Sequence, residues 1–410
     1  MKIYLVGGAV RDRLLGLTVK DRDHLVVGAS VEQMLALGYS QVGKSFPVFL
    51  HPRSKQEYAL ARTERKTGMG YGGFDFDAAP TVSLEEDLLR RDLTINAIAE
   101  DDQGQLTDPY GGQRDLDARL LRHVSPAFAE DPLRVLRVAR FAARLHHLGF
   151  TVAAETLALM SELSASGELQ HLSAERVWQE TERALSEPDP QVYFQLLQQC
   201  GALTVLLPEL AKLVAVPQPS QWHGGLDAFE HTMLALQLAA KQGLATSVRF
   251  AVLCHDLGKG VTPADQWPRH IGHEHAGIAP LTQLCARLKL PNDWRDLALL
   301  VCQYHLNVHR ALELKPATLL KLFEQTDAWR KPDRFSSMLQ GCRLDAQGRP
   351  EQAEQAYPSE AYLLEALRCA NQVAVKEVVA AGFTGAKIRD ELAQRRLQAL
   401  SQFKLTYRAD

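Results

Sequence analysis

The chain has no apolar run long enough to cross a bilayer, although 46% of its 410 residues are hydrophobic. A spanning helix needs about 20 consecutive apolar residues, so this absence predicts a soluble protein that does not use a membrane. A chain of this length exceeds one ordinary hydrophobic core, and we expect two or more domains. Residues 1–6 already have the pattern of a strand that leads into a glycine turn. They leave no room for a cleavable leader, which predicts a cytoplasmic protein.

Cysteine is scarce and irregularly placed: the six cysteines form no CxxC pair and share no regular spacing. A disulfide framework would be expected to show such spacing. We therefore interpret all six as reduced, buried thiols with a structural role.

The chain has no excess of positive charge, since the formal net charge is −3. This balance argues against a protein that is coated in positive charge, so any nucleic-acid site must be a local cluster. The sequence also lacks internal repeats, heptad arrays and low-complexity tracts, which argues against repeat and coiled-coil architectures.

Strand-like patterns are confined to the N-terminal part of the chain, at residues 2–6, 24–27, 48–51, 57–61 and 105–108. From about Asp131 onward, apolar residues recur three and four positions apart, which predicts helices. Proline, glycine and polar residues around 216–227 predict a domain boundary. The expected fold class is α+β, with a sheet in an N-terminal head and a mostly helical remainder.

A strand-to-helix turn with two glycines lies at residues 5–12 (LVGGAVRD). Without side chains, Gly7 and Gly8 let the backbone approach a triphosphate, and the helix start offers N–H donors to anionic oxygens. Arg11 adds a charge-assisted contact. Such a turn taken alone is weak evidence for phosphate binding.

Two aspartates, Asp21 and Asp23, precede the apolar run at residues 25–27. On a strand, side chains at i and i+2 share a face, so both carboxylates can reach a pair of hard divalent cations. That arrangement suits phosphoryl transfer: one ion lowers the pKa of an attacking 3′-hydroxyl, and the other holds the triphosphate and stabilises the leaving pyrophosphate. When two aspartates with this spacing occur without other motifs, they usually lie in a solvated turn.

Together, the glycine turn and the two aspartates resemble the nucleotidyltransferase superfamily that includes DNA polymerase beta. Within it, the match is to the class II tRNA nucleotidyltransferases, the CCA-adding enzymes. The resemblance implies a polymerase beta-like head, Mg²⁺ bound by catalytic Asp21 and Asp23, and nucleotide contacts from Gly8 and Arg11. Glu57 stands where a third acidic residue of the superfamily would fall, and an exposed strand glutamate is an equal alternative.

Residues 90–99 (RRDLTINAIA) look like the family's motif for holding the incoming nucleotide. By this resemblance, Arg91 pairs with triphosphate oxygens. Asp92 and Asn96 have helical i, i+4 spacing and would contact the sugar or hold the arginine. An ordinary exposed helix start is the alternative.

A helix start is predicted within residues 130–141 (EDPLRVLRVARF), with Pro132 in the first turn and Asp131 as its cap. Asp131 and Arg134 are three positions apart, so their side chains can lie next to each other. In the family resemblance this pair reads the base: the arginine offers donors and the aspartate offers acceptors, as a Watson–Crick partner of cytosine or adenine would. Base selection then needs no nucleic-acid template.

Arg137, Arg140 and Arg144 continue down the same side of this helix. Such a stripe is usually a solvated face. Because apolar residues interleave with it and the phosphate motifs precede it, we favour nucleotide contacts from Arg137 and Arg140. Residues 173–180 (SAERVWQE) also resemble a family helix, which we interpret as structural support.

The second half of the chain carries a metal-binding pattern. His231, the adjacent His255 and Asp256, and a later acidic residue can converge on one divalent metal from separate helices. This order resembles the HD-domain phosphohydrolases, in which His255 and Asp256 would be catalytic. Asp327 is the best match for the later acidic ligand. Further ligands or phosphate contacts are expected among His273, His275 and His305.

The HD resemblance implies a divalent transition metal, with Ni²⁺ as one candidate. It also implies hydrolysis of a phosphomonoester or a 2′,3′-cyclic phosphodiester at damaged RNA ends. The alternative is a decayed HD fold that serves as a structural arm.

We therefore expect a long bacterial CCA-adding enzyme that uses CTP and ATP to add CCA to the 3′ end of tRNA. The expected domains are a head at 1–140, a helical neck and body at 141–215 that binds nucleotide and tRNA, an HD domain at 225–330 and a helical tail at 331–410. Alternatives are a bacterial poly(A) polymerase, an HD phosphohydrolase with an RNA-binding head, and an RNA-binding scaffold. The sequence leaves monomer and homodimer open.

Overall fold

The structure is a computed structural model that describes residues 1–19, 21–42, 48–66, 74–219, 225–349 and 355–408, with the backbone alone at 64–66 and 74–76. The chain divides into two compact units, Met1–Leu206 and Leu207–Asp410. The first unit contains the β-sheets, and the second is helical in its described part, which confirms the predicted α+β class.

The described strands all belong to the first unit. They are β1 (Lys2–Val6), β2 (Asp23–Val27), β3 (Ser40–Val42), β4 (Val48–Leu50), β5 (Glu57–Leu60), β6 (Thr63–Lys66), β7 (Phe74–Asp77), β8 (Ala99–Glu100), β9 (Leu106–Thr107), β10 (Leu120–Leu121) and β11 (Thr151–Val152). A seven-stranded sheet has the order β3-β4-β5-β2-β1-β8-β9, and β10 with β11 and β6 with β7 form two-stranded sheets. In the large sheet, β2 runs antiparallel to β1 and parallel to β5.

The helices of the first unit are α1 (Gly8–Leu14), α2 (Val31–Ala36), α3 (Leu84–Leu89), α4 (Gly112–Asp117), α5 (Leu133–Leu145), α6 (Ala154–Ala165), α7 (Ala174–Ser186), α8 (Pro190–Gln199) and α9 (Ala202–Leu206). Helices α2 and α3 start where Ser30 and Ser83 form capping boxes with Gln33 and Glu86. Helix α5 packs against α7 and α8.

Successive residues of β2 point to opposite faces of the large sheet. Leu25 packs with Val6 and Leu88 in one buried cluster. Val26 packs with Met34 and Phe49 in the cluster on the other face. Both faces of the central strand are therefore covered, which fixes the register of β2 and with it the position of the aspartates that precede and begin the strand.

The helices of the second unit are α10 (Pro208–Ala211), α11 (Ala228–Lys241), α12 (Thr246–Cys254), α13 (His273–Ala276), α14 (Ile278–Arg287), α15 (Asn292–His309), α16 (Pro316–Gln325), α17 (Pro332–Gln347), α18 (Pro358–Asn371), α19 (Val375–Ala380) and α20 (Ala386–Thr406). Helix α12 packs against α11, α15 and α17, and α20 packs against α16, α18 and α19. Among the described helices, none is both long and apolar enough to cross a membrane.

The boundary between the units differs from the expected one at 216–227. It falls between Leu206 and Leu207, because α10 packs against α14 and the 3₁₀ turn Leu257–Val261 of the second unit. The expected limit of the head at residue 140 lies inside α5, a continuous helix. The six cysteines are free, and all except the partly exposed Cys369 are buried.

Candidate active sites

The first unit contains a cavity of about 610 Å³ whose lining is rich in arginine. It is lined by Gly7, Gly8, Arg11, Asp12, Asp21, Asp23, Arg62, Arg90, Arg91, Asp92, Asn96, Asp131, Leu133, Arg134, Arg137, Arg140, Phe141, Arg144, Arg176 and Arg183. Every residue that the sequence predicted for nucleotide or Mg²⁺ binding in the head is among them. Ten arginines against five aspartates make this cavity a site for a polyanion.

The two aspartates of the predicted metal site differ in their local structure. Asp23 begins β2, opposite Val6 of β1, whereas Asp21 lies in the segment ahead of the strand. Both are exposed, and neither carboxylate has a hydrogen bond or ion pair with another described residue. Two carboxylates without such partners in one cavity are suitable ligands for Mg²⁺, which prefers oxygen donors. Glu57 begins the neighbouring strand β5 but does not line the cavity.

The glycine turn has a conformation that other residues rarely adopt. Gly7 has φ +66° and precedes the first residue of α1. A Cβ atom at this position would lie 3.0 Å from Nη1 of Arg91. Gly7 therefore gives the space in which Arg91 approaches the turn.

Arg11 holds the cavity wall together. Its Nε and Nη2 atoms donate to Oδ1 of Asp12 at 2.8 and 2.7 Å, and its Nη1 donates to Oδ1 of Asn96 at 2.6 Å. The guanidinium lies over the ring of Phe141, 5.0 Å from its centroid. Burial lowers the pKa of Arg11, although Asp12 opposes the shift. Arg11, the residue predicted to contact phosphate, therefore also fixes the positions of its neighbours.

Residues 90–99 do not form an exposed helix start, which was the alternative interpretation of this segment. Helix α3 ends at Leu89, and a 3₁₀ turn covers only Thr94–Asn96. Asp92 accepts hydrogen bonds from the backbone N–H of Leu93 at 2.8 Å and from Nδ2 of Asn96 at 3.0 Å. The side chain of Asp92 thereby binds one neighbouring backbone N–H and the side-chain amide of Asn96, which holds this short segment in place.

Asp92 was predicted either to contact the sugar or to hold Arg91. It does bind an arginine, but that arginine is Arg137. Nε of Arg137 donates to Oδ2 of Asp92 at 2.7 Å. Burial opposes ionisation of the carboxyl, but Arg137 and Asn96 together lower the pKa of Asp92. Arg91 instead pairs with Asp87 at 3.2 Å.

Asp131 and Arg134 both reach the cavity from the start of α5, as the base-reading hypothesis requires. Asp131 lies one residue ahead of the helix cap, Pro132, and its Oδ1 accepts the backbone N–H of Leu133 at 3.1 Å. Arg134 donates to the backbone carbonyls of Ala127 at 2.7 Å and Arg90 at 2.6 Å. These bonds fix the plane of the guanidinium.

Arg176 of α7 is a site residue that sequence reasoning missed. Its Nη2 donates to Oδ2 of Asp131 at 2.9 Å. The only available signal was the resemblance of residues 173–180 to a family helix, which indicated structural support and no partner for Arg176. The pairing depends on how α7 packs against α5.

The arginine stripe of α5 is not a solvated face. Arg140 forms an ion pair with Glu180 of α7 at 2.7 Å, and the two side chains are 9% and 5% exposed. Arg144 forms an ion pair with Asp12 of α1 at 2.7 Å. These partners orient the arginines along the cavity wall.

In the second unit, four side chains of the predicted HD type converge. Nε2 of His231 lies 2.9 Å from Oδ1 of Asp345, and Nε2 of His255 lies 3.4 Å from the same oxygen. His255 Nε2 also lies 3.1 Å from Oδ2 of Asp256. All four residues are buried, and the nitrogen and carboxylate donors suit a divalent transition metal.

The acidic residue that lies with His231 and His255 is Asp345 of α17, and the predicted Asp327 lies elsewhere. Asp327 forms hydrogen bonds with Arg330 at 2.7 Å through both carboxylate oxygens and lies in the turn after α16. Asp327 was chosen because it is closer to the histidines along the sequence. The packing of α17 against α11 and α12 instead brings Asp345 to them in space. The buried group of candidate metal ligands therefore includes a residue beyond the expected domain limit at residue 330.

A second group of buried ligand atoms adjoins the first. Oδ1 of Asp256 lies 3.2 Å from Nε2 of His273 and 3.9 Å from Nε2 of His305. The predicted extra candidate His275 is exposed and joins neither group. Lys259 donates from Nζ to the other oxygen of Asp256, at 2.5 Å.

The protonation of these groups follows from burial and from the two carboxylates. Burial opposes a charge on His255, but Asp256 and Asp345 raise its pKa to about 10. Burial lowers the pKa of His305 to about 3. The two carboxylates therefore favour a positive charge beside them.

The loop that carries Asp256 is held tightly against α13. A Cβ atom on Gly258 would lie 1.9 Å from the backbone oxygen of His273. Only glycine permits this approach, so Gly258 sets the distance between Asp256 and His273.

Models of three known families match the chain. A poly A polymerase head domain matches residues 3–122, a probable RNA and SrmB-binding site of polymerase A matches residues 149–213, and an HD domain matches residues 228–331. A multifunctional CCA protein of Shewanella denitrificans is 59% identical over 404 residues, which are 98% of this chain and 98% of that protein. The chain belongs to the multifunctional CCA protein family. As a member, it is a CCA-adding nucleotidyltransferase with an HD domain.

Solved structures have the same fold. The CCA-adding enzyme of Bacillus stearothermophilus, in complex with CTP, is 26% identical with a TM-score of 0.66, and the match covers 98% of this chain and 88% of that chain. The Thermotoga maritima CCA-adding enzyme, complexed with tRNA, is 19% identical with a TM-score of 0.63, and the match covers 100% of this chain and 88% of that chain. The Thermotoga likeness concerns the fold alone.

Proposed function

We propose that this member of the multifunctional CCA protein family adds CCA to the 3′ end of tRNA from CTP and ATP, and repairs that end. The observation that carries the proposal is the single arginine-rich cavity that contains Asp21, Asp23, Asp131 and Arg134 together. A metal site, a triphosphate site and a base-reading pair are all needed for nucleotide addition without a template. An enzyme with this function acts where tRNA is found, so we expect the protein in the cytoplasm.

Different residues of the cavity bind the triphosphate and the metal ion. Gly8, Arg11 and Arg91 hold the triphosphate through N–H groups and positive charge. Asp21 and Asp23 hold Mg²⁺, which when bound favours ionisation of the 3′-hydroxyl and departure of pyrophosphate. Because the two carboxylates have no other partner among the described residues, they are available to the ion.

The base is read by groups that are fixed before it binds. Asp131 is held by the Leu133 N–H and Arg176, and Arg134 is held by two backbone carbonyls. The Asp131 carboxylate has further lone pairs to accept the amino group of cytosine or adenine. Uracil and guanine present a carbonyl oxygen in place of that amino group. Two acceptors would then face each other, which weakens binding by on the order of a few kcal/mol.

Nucleotide addition is tested with purified protein, Mg²⁺ and tRNA that lacks its last three nucleotides. Each labelled nucleoside triphosphate is supplied singly, and then CTP is supplied with ATP. Ordered addition of two C and one A supports the proposal. Long A tails without CTP use would instead identify a poly(A) polymerase, and no incorporation would refute nucleotide addition.

The metal assignment in the head has its own test. Asp21→Asn and Asp23→Asn should each reduce addition by at least about 1000-fold, since each removes a ligand charge from the reacting centre. Asp102→Asn is the matched control, because Asp102 is exposed in the same unit and does not line the cavity. Normal addition by either cavity variant would refute the assignment.

We also propose that the HD domain hydrolyses phosphomonoesters or 2′,3′-cyclic phosphodiesters with a divalent transition metal, Ni²⁺ among the candidates. The support is the buried convergence of His231, His255, Asp256 and Asp345, which fits such an ion better than Mg²⁺ because two donors are imidazoles. Metal-stripped protein should regain hydrolysis of a 2′,3′-cyclic nucleotide on addition of Ni²⁺, Co²⁺ or Mn²⁺. If none of these restores hydrolysis, the domain is a structural arm.

A further inference from the structure

Phe141 of α5 lies among three arginines of the cavity in the first unit. The Cζ atoms of Arg140, Arg11 and Arg137 lie over its ring, 4.6, 5.0 and 5.8 Å from the ring centroid. An arginine within about 6 Å of an aromatic centroid is attracted by the negative charge of the ring face. Phe141 is buried, and it lines the cavity together with the three arginines. One ring therefore gathers three positive charges at the cavity wall.

Each of these three arginines is also held by a carboxylate of its own. In every pair the Nε atom of the arginine donates at 2.7 or 2.8 Å, and the pairs are Arg11 with Asp12, Arg137 with Asp92, and Arg140 with Glu180. The carboxylates come from different parts of the unit: Asp12 from α1, Asp92 from the segment before the 3₁₀ turn, and Glu180 from α7. The ring of Phe141 is the contact that the three arginines share.

The arginines keep donors for a ligand after these bonds are made. A guanidinium has five N–H groups. Arg11 uses three of them, two on Asp12 and one on Asn96. Arg137 uses only its Nε–H on a described residue. Both side chains line the cavity, so the N–H groups that remain are available to phosphate oxygens, which guanidinium groups bind well.

An aromatic ring suits this position for an electrostatic reason. Three neighbouring guanidinium groups repel one another, and further carboxylates among them would cancel the positive charge that attracts an anion. The face of Phe141 attracts all three arginines but carries no net charge. It can therefore hold them together and leave the positive charge of the wall for a ligand. A leucine would fill much of the same space without this attraction.

We propose that Phe141 is a positioning residue for the triphosphate of the incoming nucleotide. Its ring face holds Arg11, Arg137 and Arg140 in one arrangement, in which their remaining N–H groups meet the phosphate oxygens together. The identity of the anion rests on the proposed nucleotide addition. Phe141 acts through the arginines, and the base is read by the pair at the start of α5. Its effect is therefore the same for CTP, for ATP and for a triphosphate without a base.

Phe150 provides a matched control in the same unit. It is buried like Phe141, and the Cζ atom of Arg119 lies over its ring, 5.3 Å from the centroid. Phe150 does not line the cavity. A change that weakens the attraction between an aromatic ring and an arginine can therefore be made at either position, and only the change at Phe141 should reach the triphosphate.

The test uses full-length protein in which Phe141 or Phe150 is replaced by trifluorophenylalanine. Fluorine withdraws electrons from the ring face with little change in shape, so it weakens the attraction for arginine and leaves the packing nearly intact. Binding of CTP, ATP and inorganic tripolyphosphate is measured by titration calorimetry at constant ionic strength with Mg²⁺ present. We expect fluorination at Phe141 to weaken all three by about 10-fold, and fluorination at Phe150 to leave them unchanged. Phe141→Leu should bind all three at least as weakly, and Phe141→Tyr, which keeps the ring, should bind like the parent.

Unchanged binding after fluorination at Phe141 would overturn the inference, and this result decides the question even if Phe141→Leu fails to fold. Equal weakening from both fluorinated positions would overturn it as well, as would a parent protein that binds no tripolyphosphate. Weaker binding of CTP and ATP with unchanged binding of tripolyphosphate would move the role of the ring to the base or the sugar. Fluorine-sensitive binding without any addition to tRNA would keep the role of Phe141 and refute the proposed function, and normal addition with fluorine-insensitive binding would do the reverse.

Discussion

Nε2 of His231 lies 2.9 Å from Oδ1 of Asp345, although 114 positions separate the two residues in the chain. The other oxygen of Asp345 lies 2.7 Å from Nε2 of His309, whose Nδ1 lies 2.8 Å from the hydroxyl of Tyr357. One oxygen of Asp345 thus contacts His231, a candidate metal ligand, and the other contacts His309, which orients the carboxylate. It lies beyond residue 331, where the match to the HD family model ends.

Replacing Asp345 should stop hydrolysis and leave nucleotide addition intact. We expect Asp345→Asn to lower hydrolysis of a 2′,3′-cyclic nucleotide by about 100-fold or more, because the variant removes a charged ligand of a buried metal. Asp327→Asn makes the same chemical change at an acid that pairs with Arg330 on the surface, and it should hydrolyse like the parent. Loss of hydrolysis in Asp327→Asn alone would return the ligand role to Asp327.

Replacing Asp131 should weaken base selection. In Asp131→Asn, an amide that can also donate stands where the carboxylate accepted the amino group of cytosine. We expect the preference for CTP over UTP, measured as the ratio of kcat/KM values, to fall by about 10–100-fold, equivalent to losing one buried hydrogen bond of roughly 1–3 kcal/mol.

The control for base selection is the adjacent residue. Glu130→Gln makes the same change of charge at a side chain that does not line the cavity, so its CTP preference should equal that of the parent. An unchanged CTP preference in Asp131→Asn would exclude Asp131 as a base-reading group.

Local motifs could be predicted from sequence because neighbouring residues set them. The glycine turn, the aspartates at 21 and 23, and the start of α5 each occupy a few consecutive positions, and their spacing determines which side chains share a face. The structure places all of them on one cavity.

Partners supplied by distant helices could not be predicted in this way. Arg176 reaches Asp131 across 45 positions, and Glu180 reaches Arg140 across 40. Asp345 likewise depends on the packing of α17, and no local spacing distinguishes it from Asp327. The arrangement of residues 90–99 also depends on a distant helix, since Asp92 bonds to Asn96 and to Arg137 of α5.

Removing the charge of Glu180 should destabilise the first unit. Glu180→Gln would leave the buried Arg140 guanidinium without its closest anion, and the loss of one partner of such a pair costs about 3 kcal/mol. The midpoint of thermal unfolding of the first unit, followed by the fluorescence of Trp178, should fall. Glu182→Gln, two positions along α7, should unfold like the parent, as Glu182 has no side-chain partner among the described residues. Equal midpoints for all three proteins would show that the pair is not stabilising.

Replacing Asp92 should alter how stability depends on pH. Burial opposes ionisation of Asp92, but Arg137 lowers its pKa below the usual 3.8, so the folded state favours the carboxylate. Its contribution is present above the unfolded pKa and is lost as the pH falls through the lower folded pKa. Asp92→Asn should therefore be less stable than the parent by about 1–3 kcal/mol at neutral pH, with a value kept modest by the 35% exposure of Arg137.

The difference in stability between the parent and Asp92→Asn should stay constant from neutral pH to about pH 5 and shrink below about pH 4. Urea unfolding at constant ionic strength, followed by Trp178 fluorescence at each pH, measures this difference. Asp102→Asn should match the parent at every pH, because Asp102 is exposed and forms no ion pair with another described residue. A difference that grows on acidification would mean that Asp92 is held in its protonated form, which would contradict its ion pair with Arg137.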